Sequence, residues 1–287
     1  MITIAIDNET CVRCGKCVKV CPSYILTQTE KKADIGLHKI DHCISCGHCV
    51  AVCPTFSVIH SDFPKTKVHT LNREILPQPE QMMELIRARR SNRALSDQPL
   101  PQEMLQQFVE AAHLAPTATN AQQVKFVLVT NPEVLKQVAD LTIDIYAETA
   151  KKLSHPLVKP FVNLIKPGAK EVIPKLKGLV KAYKAGTDTV LRGAKAALFI
   201  YTPDSVMFGK QDANLAYQNG SLMAESLGVA QFYTGFICSA SDLDKKKKRI
   251  CKLLNIEGTI HAGMALSMPR FKFRRYTDRK PLDLQII

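Results

Sequence analysis

The residues best suited to chemistry are eight cysteines in two matching runs. Cys11 to Cys21 reads C-V-R-C-G-K-C-V-K-V-C-P, and Cys43 to Cys53 reads C-I-S-C-G-H-C-V-A-V-C-P, with twenty-one residues between Cys21 and Cys43. Three thiolates two residues apart can converge from one tight loop on one face of an iron–sulfur cube. Gly15 and Gly47 sit at matching places, where a backbone without a β-carbon bends closely round inorganic sulfur. Zinc fits poorly, because it takes four ligands per ion, usually spaced as two separate pairs. Disulfides would need an oxidising compartment, and a chain of 287 residues can bury a core without staples. Two 4Fe–4S clusters are the expected occupants.

Each run is similar to the C-x2-C-x2-C-x3-C-P pattern of bacterial two-cluster ferredoxins, whose fourth cysteine ligates the other cluster. That resemblance assigns Cys11, Cys14, Cys17 and Cys53 to one cluster, and Cys43, Cys46, Cys49 and Cys21 to the other. Ile2 to Ile6 alternates as a short strand, F-S-V-I-H after Cys53 supplies its counterpart, and Lys31 to His38 reads as a turn and connector. The expectation is a ferredoxin-like two-cluster domain over residues 1–62, then a polar, proline-flanked linker over 63–78.

Composition bounds the remainder. An apolar content of 46% supports a genuine core in two domains. No early stretch joins a basic start, an apolar run and a small-residue cleavage site, and no apolar run is long enough for a membrane span. The expectation is a cytoplasmic protein. Cys238 and Cys251, outside the runs, read as buried small hydrophobes. The net charge of +13 is concentrated in a basic insert at about 150–195, where eleven lysines or arginines face only Glu171 and Asp188. Pro156, Pro160, Pro167 and Pro174 are expected to break it into short helical pieces. It is either a solvated lysine face or a docking surface for an acidic electron donor or anionic substrate. No nucleic-acid-reading motif accompanies it. His48, inside a cysteine run, is expected to tune hydrogen bonding rather than bind metal, and Lys245 to Arg249 reads as a solvated helix face.

From Pro79 the pattern becomes helical. Helices are expected from Pro79 to about Arg90, from Pro101 to before Pro116, from Asn131-Pro132, and over Asp212 to Leu227, ended by Gly228. Val124–Val129, Ala196–Tyr201 and Gly258–Ser267 read as core strands. Helices and strands alternate without a βαβ cadence, so residues 79–287 are expected to be α+β. In the insert region Tyr146, Phe161 and Tyr183 read as core residues or as pocket lining.

Four motifs then come in order. Arg89-Arg90-Ser91-Asn92-Arg93 with A-L-S-D-Q-P-L-P is followed by L-A-P-T-A-T-N-A-Q-Q-V-K-F, by D-A-N-L-A-Y-Q-N-G-S-L-M-A-E-S-L-G-V, and by R-Y-T-D-R-K-P-L. Together they resemble the nitroreductase family of FMN flavoproteins, and the whole chain resembles its ferredoxin-fused branch. The resemblance implies a central, mostly antiparallel sheet flanked by helices, and a homodimer whose flavin sites each draw on two subunits. It puts Arg89 and Arg279 at the FMN phosphate with Arg275 helping, in keeping with the fit of guanidinium forks to a dianion. It puts Arg90, Ser91 and Arg93 along the same cofactor, the last two near the ribityl chain and the pyrimidine edge. Pro116, Thr117, Ala118, Asn120 and Gln122 match the loop that reaches the flavin from the partner subunit. Tyr233, Thr234 and Gly235 fall where the family contacts flavin N5 by backbone.

Clusters pass single electrons and a flavin delivers a hydride, so the pair implies a converter of one-electron supply into two-electron reduction. The expected donor is a protein such as ferredoxin, and the acceptor is a nitroaromatic, a quinone or an activated alkene. No catalytic side chain is assignable. No G-x-G-x-x-G is present, although relatives of this fold bind NAD(P)H directly against the flavin. Two alternatives stay open: NAD(P)H oxidation with export through the clusters, or a redox sensor or carrier with no small substrate.

Overall fold

In each cysteine run a glycine turns the chain into a short helix. Gly15 (φ 69°) and Gly47 (φ 70°) adopt the left-handed conformation that penalises a β-carbon, and α1 (Lys16–Val20) and α2 (His48–Val52) follow them directly. A β-carbon on Gly47 would also press within 3.2 Å of the Phe63 ring. The computed structural model describes residues 2–157 and 169–287, and the chain divides into two compact units. The first holds the described residues up to Leu76 together with Ala118–Ala121; the second holds the rest.

In the first unit β1 (Ile4–Ile6) pairs antiparallel with β4 (Val58–His60), with Ile4 opposite His60. A second ribbon joins β2 (Leu26–Thr27) to β3 (Gly36–Leu37), so the expected connector over Lys31–His38 itself carries a strand. Ile4, Ile25, Leu26, Val50 and Val58 form the core with the buried Cys17 and Cys49. The stretch after Asp62 holds two single-turn 3-10 helices, Lys65–Lys67 and Arg73–Ile75, and is largely exposed.

The second unit is built on an antiparallel sheet of four strands in the order β5 (Lys125–Val129), β6 (Ala196–Thr202), β8 (Thr259–Ser267), β7 (Ala230–Tyr233). It is an α+β fold. Side chains alternate across the pleat, and β6 shows this directly. Ala196, Leu198 and Ile200 join a cluster with α4 (Gln102–His113) and α7 (Gly209–Ser226). Ala197 and Phe199 join one on the opposite face with α5 (Pro132–Leu153), α6 (Ala169–Lys184), α8 (Gly235–Leu243) and α9 (Arg249–Leu253). α3 (Pro79–Ala88) opens the unit behind a Gln78–Gln81 capping box. β5 lies at the sheet edge and is only part-buried, which corrects the expectation of a core strand there. Pro174 also differs from expectation: α6 runs through it, at the loss of one backbone donor. Pro160, Phe161 and Pro167 lie outside the described residues. Among the described residues no helix is long and apolar enough to cross a membrane.

Two expectations about charge and aromatic residues are resolved by packing. Tyr146 is 2% exposed and its hydroxyl donates to the Phe236 carbonyl at 2.7 Å; Tyr183 donates to Asp140 at 2.8 Å and lines a cavity beside it. Lys245 to Lys247 lie in a turn and Lys248 precedes α9, so they form no helix face, and Arg249 is no solvated cation. Arg249 reaches Asp244 at 3.0 Å and Glu148 at 2.7 Å. Burial raises the Asp244 pKa, but the Arg249 hydrogen bonds outweigh it and the net shift is down; Arg249 and then Lys247 hold Glu148 down as well. Depressed carboxylates stabilise the fold above their unfolded pKa, and that contribution is lost as pH falls through the folded values. Arg249→Met is therefore expected to cost about 2 kcal/mol near neutral pH, less than a fully buried pair because Glu148 and Arg249 still reach water. It is also expected to flatten the acid limb of the stability curve. Urea unfolding at several pH values measures both, and a variant as acid-sensitive as the parent would refute the assignment.

Candidate functional site

The short helices α1 and α2 bring the cysteines together, because a C-x2-C-x2-C loop entering a helix through a left-handed glycine points its sulfurs inward. Cys11, Cys14, Cys17 and Cys53 line one small cavity; Cys21, Cys43, Cys46 and Cys49 line a second. Apolar walls, Ile6, Ile35 and Val58 on one side and Ile4, Ile25 and Leu26 on the other, complete the two cavities. Burial pushes the Cys17 and Cys43 thiols up and takes Cys49 to about 11, so thiolates at these three gain from a cation beside them; at Cys53 burial also raises the thiol, but hydrogen bonds from Thr55, Ser57 and Val58 outweigh it and the net shift is down. Backbone N–H groups point at the sulfurs: Ile25 to Cys21 and Ser57 to Cys53, both at 3.3 Å, and Ser45 to Cys43 at 3.4 Å. Cysteine quartets in apolar pockets with N–H donors aimed at sulfur fit iron–sulfur clusters. His48 is exposed; the histidine that touches a cysteine is His60, whose Nε2 lies 3.5 Å from Cys43 Sγ.

In the second unit α3 ends at Arg89, and the segment that follows is pinned from both sides. Gln231 on β7, 1% exposed, donates from Nε2 to the Arg90 carbonyl at 3.1 Å and to Ser221 at 2.9 Å, and accepts from Tyr217 at 2.9 Å. Across from it the chain after β8 runs back along the same segment. Ser96 N–H donates to Met268, Arg270 N–H to Ala94, and the Asn92 amide to Phe271. Guanidinium groups lie over rings along this seam: Arg87 over Tyr276 at 5.4 Å, Arg90 over Phe273 at 5.9 Å, and Arg93 over Phe232 at 5.7 Å. Arg93 also donates to the Ser91 carbonyl. Arg275 precedes Tyr276 on that tail, and Arg279 is exposed farther along it. Among the described residues Arg89, Arg90 and Arg93 have no carboxylate at ion-pair distance, so this segment offers fixed positive charge suited to an anionic ligand.

The other singled-out residues lie as follows. Pro116 and Gln122 are exposed, and Thr117 Oγ1 accepts from the Gln122 N–H at 2.9 Å. Ala118 and Asn120 belong to the first unit, where the Asn120 amide donates to the carbonyls of Ile44 (3.0 Å) and Ser45 (2.9 Å). Tyr233 commits its hydroxyl to the His261 carbonyl and Asn214; Thr234 is buried; Gly235 is exposed at the first turn of α8. Cys238 and Cys251 are buried, as expected of small hydrophobes, with Cys238 pushed up to about 11 by burial. Gln231 and His60 escaped the sequence reading; Tyr217 and Ser221 lie inside the D-A-N-L-A-Y-Q-N-G-S stretch, which gave no sign that both serve Gln231.

Gln231→Leu would leave the Tyr217 hydroxyl and the Arg90 carbonyl without this partner. The expected cost is about 1–3 kcal/mol. Chemical denaturation measures it, and an unchanged midpoint would show that the network does not hold the arginine segment.

Two cysteine quartets joined to an antiparallel α+β domain with an arginine-rich segment define a ferredoxin-type unit fused to a flavoprotein-like one. Residues 86–268 match the model of the nitroreductase family, and residues 3–54 match that of the 4Fe-4S dicluster domain. The chain belongs to the nitroreductase family and carries an N-terminal 4Fe–4S dicluster domain. Among solved structures it is similar to a nitroreductase with bound FMN from Bacteroides fragilis, at 18% identity and a TM-score of 0.57, over 72% of this chain and 98% of that one. A nitroreductase with bound FMN from Desulfitobacterium hafniense matches at 17% identity and 0.51, over 71% and 97%. A BluB-like flavoprotein from Clostridium difficile matches at 18% and 0.52, over 70% and 94%. At these identities the likeness is one of fold. No curated protein matches the chain.

Proposed function

We propose that this protein is an FMN-dependent oxidoreductase that takes electrons through two 4Fe–4S clusters and reduces a small acceptor, a nitroaromatic, quinone or activated alkene. The observation that carries the reading is the union, on one chain, of two inward-facing cysteine quartets with a rigidly held arginine segment in a nitroreductase-family domain. When bound, the clusters accept electrons singly and the flavin releases them in pairs as a hydride.

The chain's residues hold, shield and orient. Cys11, Cys14, Cys17 and Cys53 hold one cluster, and Cys43, Cys46, Cys49 and Cys21 the other. The apolar walls shield Cys17 and Cys49 most fully, while Cys14 stays exposed. Arg89 and Arg279, with Arg275 beside them, neutralise the FMN phosphate; Arg90 and Ser91 bind alongside. Arg93 lies at the pyrimidine edge, where a cation favours the reduced, anionic ring. Gln231 fixes the Arg90 backbone, and thereby the direction of its neighbours. Pro116, Thr117, Ala118, Asn120 and Gln122 form the loop that approaches the ring of the second subunit of a homodimer. Tyr233, Thr234 and Gly235 supply backbone near N5. The electron donor is a low-potential protein such as ferredoxin, and the protein works in the cytoplasm.

An anaerobic titration of purified protein tests the reading, once about eight iron atoms and one flavin per chain are established. Reduced ferredoxin is expected to bleach both cluster and flavin bands rapidly, while NADH and NADPH leave them unchanged. Stoichiometric bleaching by either nucleotide would reverse the direction and make the clusters an exit. A cofactor-replete anaerobic preparation without flavin or iron would defeat the reading.

A further inference from the structure

The two cysteine halves repeat with an offset of thirty-two residues, so each position in one half has a counterpart in the other. Most pairs behave alike. Arg13 and Ser45 both have positive φ (53° and 49°), Gly15 and Gly47 both open a helix, and Ile25 and Ser57 both donate N–H to the fourth sulfur at 3.3 Å. One pair does not. Gln28 donates its amide to the carbonyls of Arg13 (3.2 Å) and Ala33 (2.7 Å). Its counterpart is His60, 3% exposed, which bonds no such carbonyl but meets Cys43 Sγ at 3.5 Å.

The tautomer follows from the other ring nitrogen. His60 Nδ1 lies 3.1 Å from the backbone N–H of Asp62, a donor only, so Nδ1 accepts and Nε2 carries the proton of the neutral ring. Nε2–H therefore donates to sulfur. Asp62 is itself tied to the cysteine loop by the Ser45 hydroxyl, and the His60 ring packs 4.9 Å from Phe63. The carbonyl that position 60 leaves unserved, Ser45 O, is the counterpart of Arg13 O. Asn120 serves it, at 2.9 Å, and takes Ile44 O as well at 3.0 Å. Two carbonyl acceptors fix the orientation of that amide.

We infer that His60 raises the reduction potential of the cluster held by Cys43, Cys46, Cys49 and Cys21, and that Asn120 takes over the carbonyl-bracing task of Gln28 so that position 60 is free to do so. The inference rests on the proposed cluster binding. A hydrogen bond to a ligating sulfur withdraws charge from it and favours the reduced, more negative cluster, one electron being taken from the titrant. Gln28, the counterpart of His60, spends its amide on the Arg13 and Ala33 carbonyls instead. The effect is confined to one cluster, and His60 acts as a positioning and tuning residue rather than a ligand.

The test is an anaerobic dithionite titration of the full chain, followed by electron paramagnetic resonance, for the parent, His60→Gln and Asn120→Ala. Iron is counted first. Fewer than about eight atoms in the parent would defeat the cluster reading itself, independently of His60. With both clusters present, His60→Gln is expected to lower one midpoint by about 59 mV, a roughly tenfold loss of reduced over oxidised cluster at fixed potential, and leave the other in place. Asn120→Ala is expected to perturb the signal of that same cluster alone. Two unmoved midpoints, or two that move together, would overturn the inference. Should His60→Gln lose its cluster, imidazole-labelled histidine in otherwise unaltered protein decides the matter. A nitrogen coupling to one reduced cluster that survives His48→Asn supports the bond, and its absence refutes it.

Discussion

A Cys49→Ala variant purified without oxygen is expected to hold about four iron atoms per chain instead of about eight. Cys49 is buried in α2 against the core of the first unit, so alanine keeps the helix and removes only the ligand. Its thiol, pushed up to about 11 by burial, gains from ligation what water does not give it. Flavin content is expected to stay at one per chain, because the arginine segment proposed to hold FMN lies in the second compact unit. Turnover with reduced ferredoxin should fall to background, since one link of the relay is gone. The cluster held by Cys11, Cys14, Cys17 and Cys53 should keep its signal. Iron analysis, flavin absorbance and paramagnetic resonance on one sample decide it. Unchanged iron would refute the ligand assignment, and ferredoxin-driven turnover that survives the loss of four iron atoms would put that cluster off the path.

The comparison of sequence with structure turns on how far apart cooperating residues stand. The cysteine quartets were legible because the ligands of each loop sit within a few residues of one another and the geometry is that of a single turn. The major helices and the strands β6 and β8 were legible for the same reason. Their apolar periodicity is local, and Asn131, Pro132 and Gly228 mark their ends. What escaped depends on tertiary partners. β7 is four residues long and gains its identity only by pairing with β8. Arg249 looked like one more cation in a lysine run until Glu148, from the distant α5, closed on it. Gln231 is an ordinary strand residue in sequence, and only the Arg90 carbonyl 141 residues away gives it a role.

His60 and Asn120 are instructive in a different way. The repeat itself contained the signal for His60, because aligning the halves sets it against Gln28 and breaks an otherwise close correspondence. His48, the histidine that lies between two cysteines in sequence, is exposed. Asn120 was drawn to the flavin by resemblance of its loop, while its amide is engaged by Ile44 and Ser45. Here Thr119, Asn120 and Gln122 all take positive φ, and that turn aims Asn120.

Arg89→Ala is expected to weaken FMN binding by about 10- to 150-fold, the equivalent of losing 1.5–3 kcal/mol of hydrogen bonding to a charged group. Arg89 caps α3 just before the segment that Gln231 and the returning chain hold rigid, so its guanidinium is presented at little entropic cost. The phosphate origin of the effect is separable from any damage to the fold. Riboflavin has the same ring and ribityl chain without the phosphate, and its affinity should be the same for parent and variant. FMN binding by the parent should weaken with rising salt, and the variant's should do so less steeply. Arg89→Lys should recover only part of the loss, since an ammonium keeps the charge but not the two-pronged geometry. Fluorescence quenching titrations with both ligands supply these numbers. Equal losses for FMN and riboflavin would make Arg89 a structural residue and move the phosphate site elsewhere along the arginine seam.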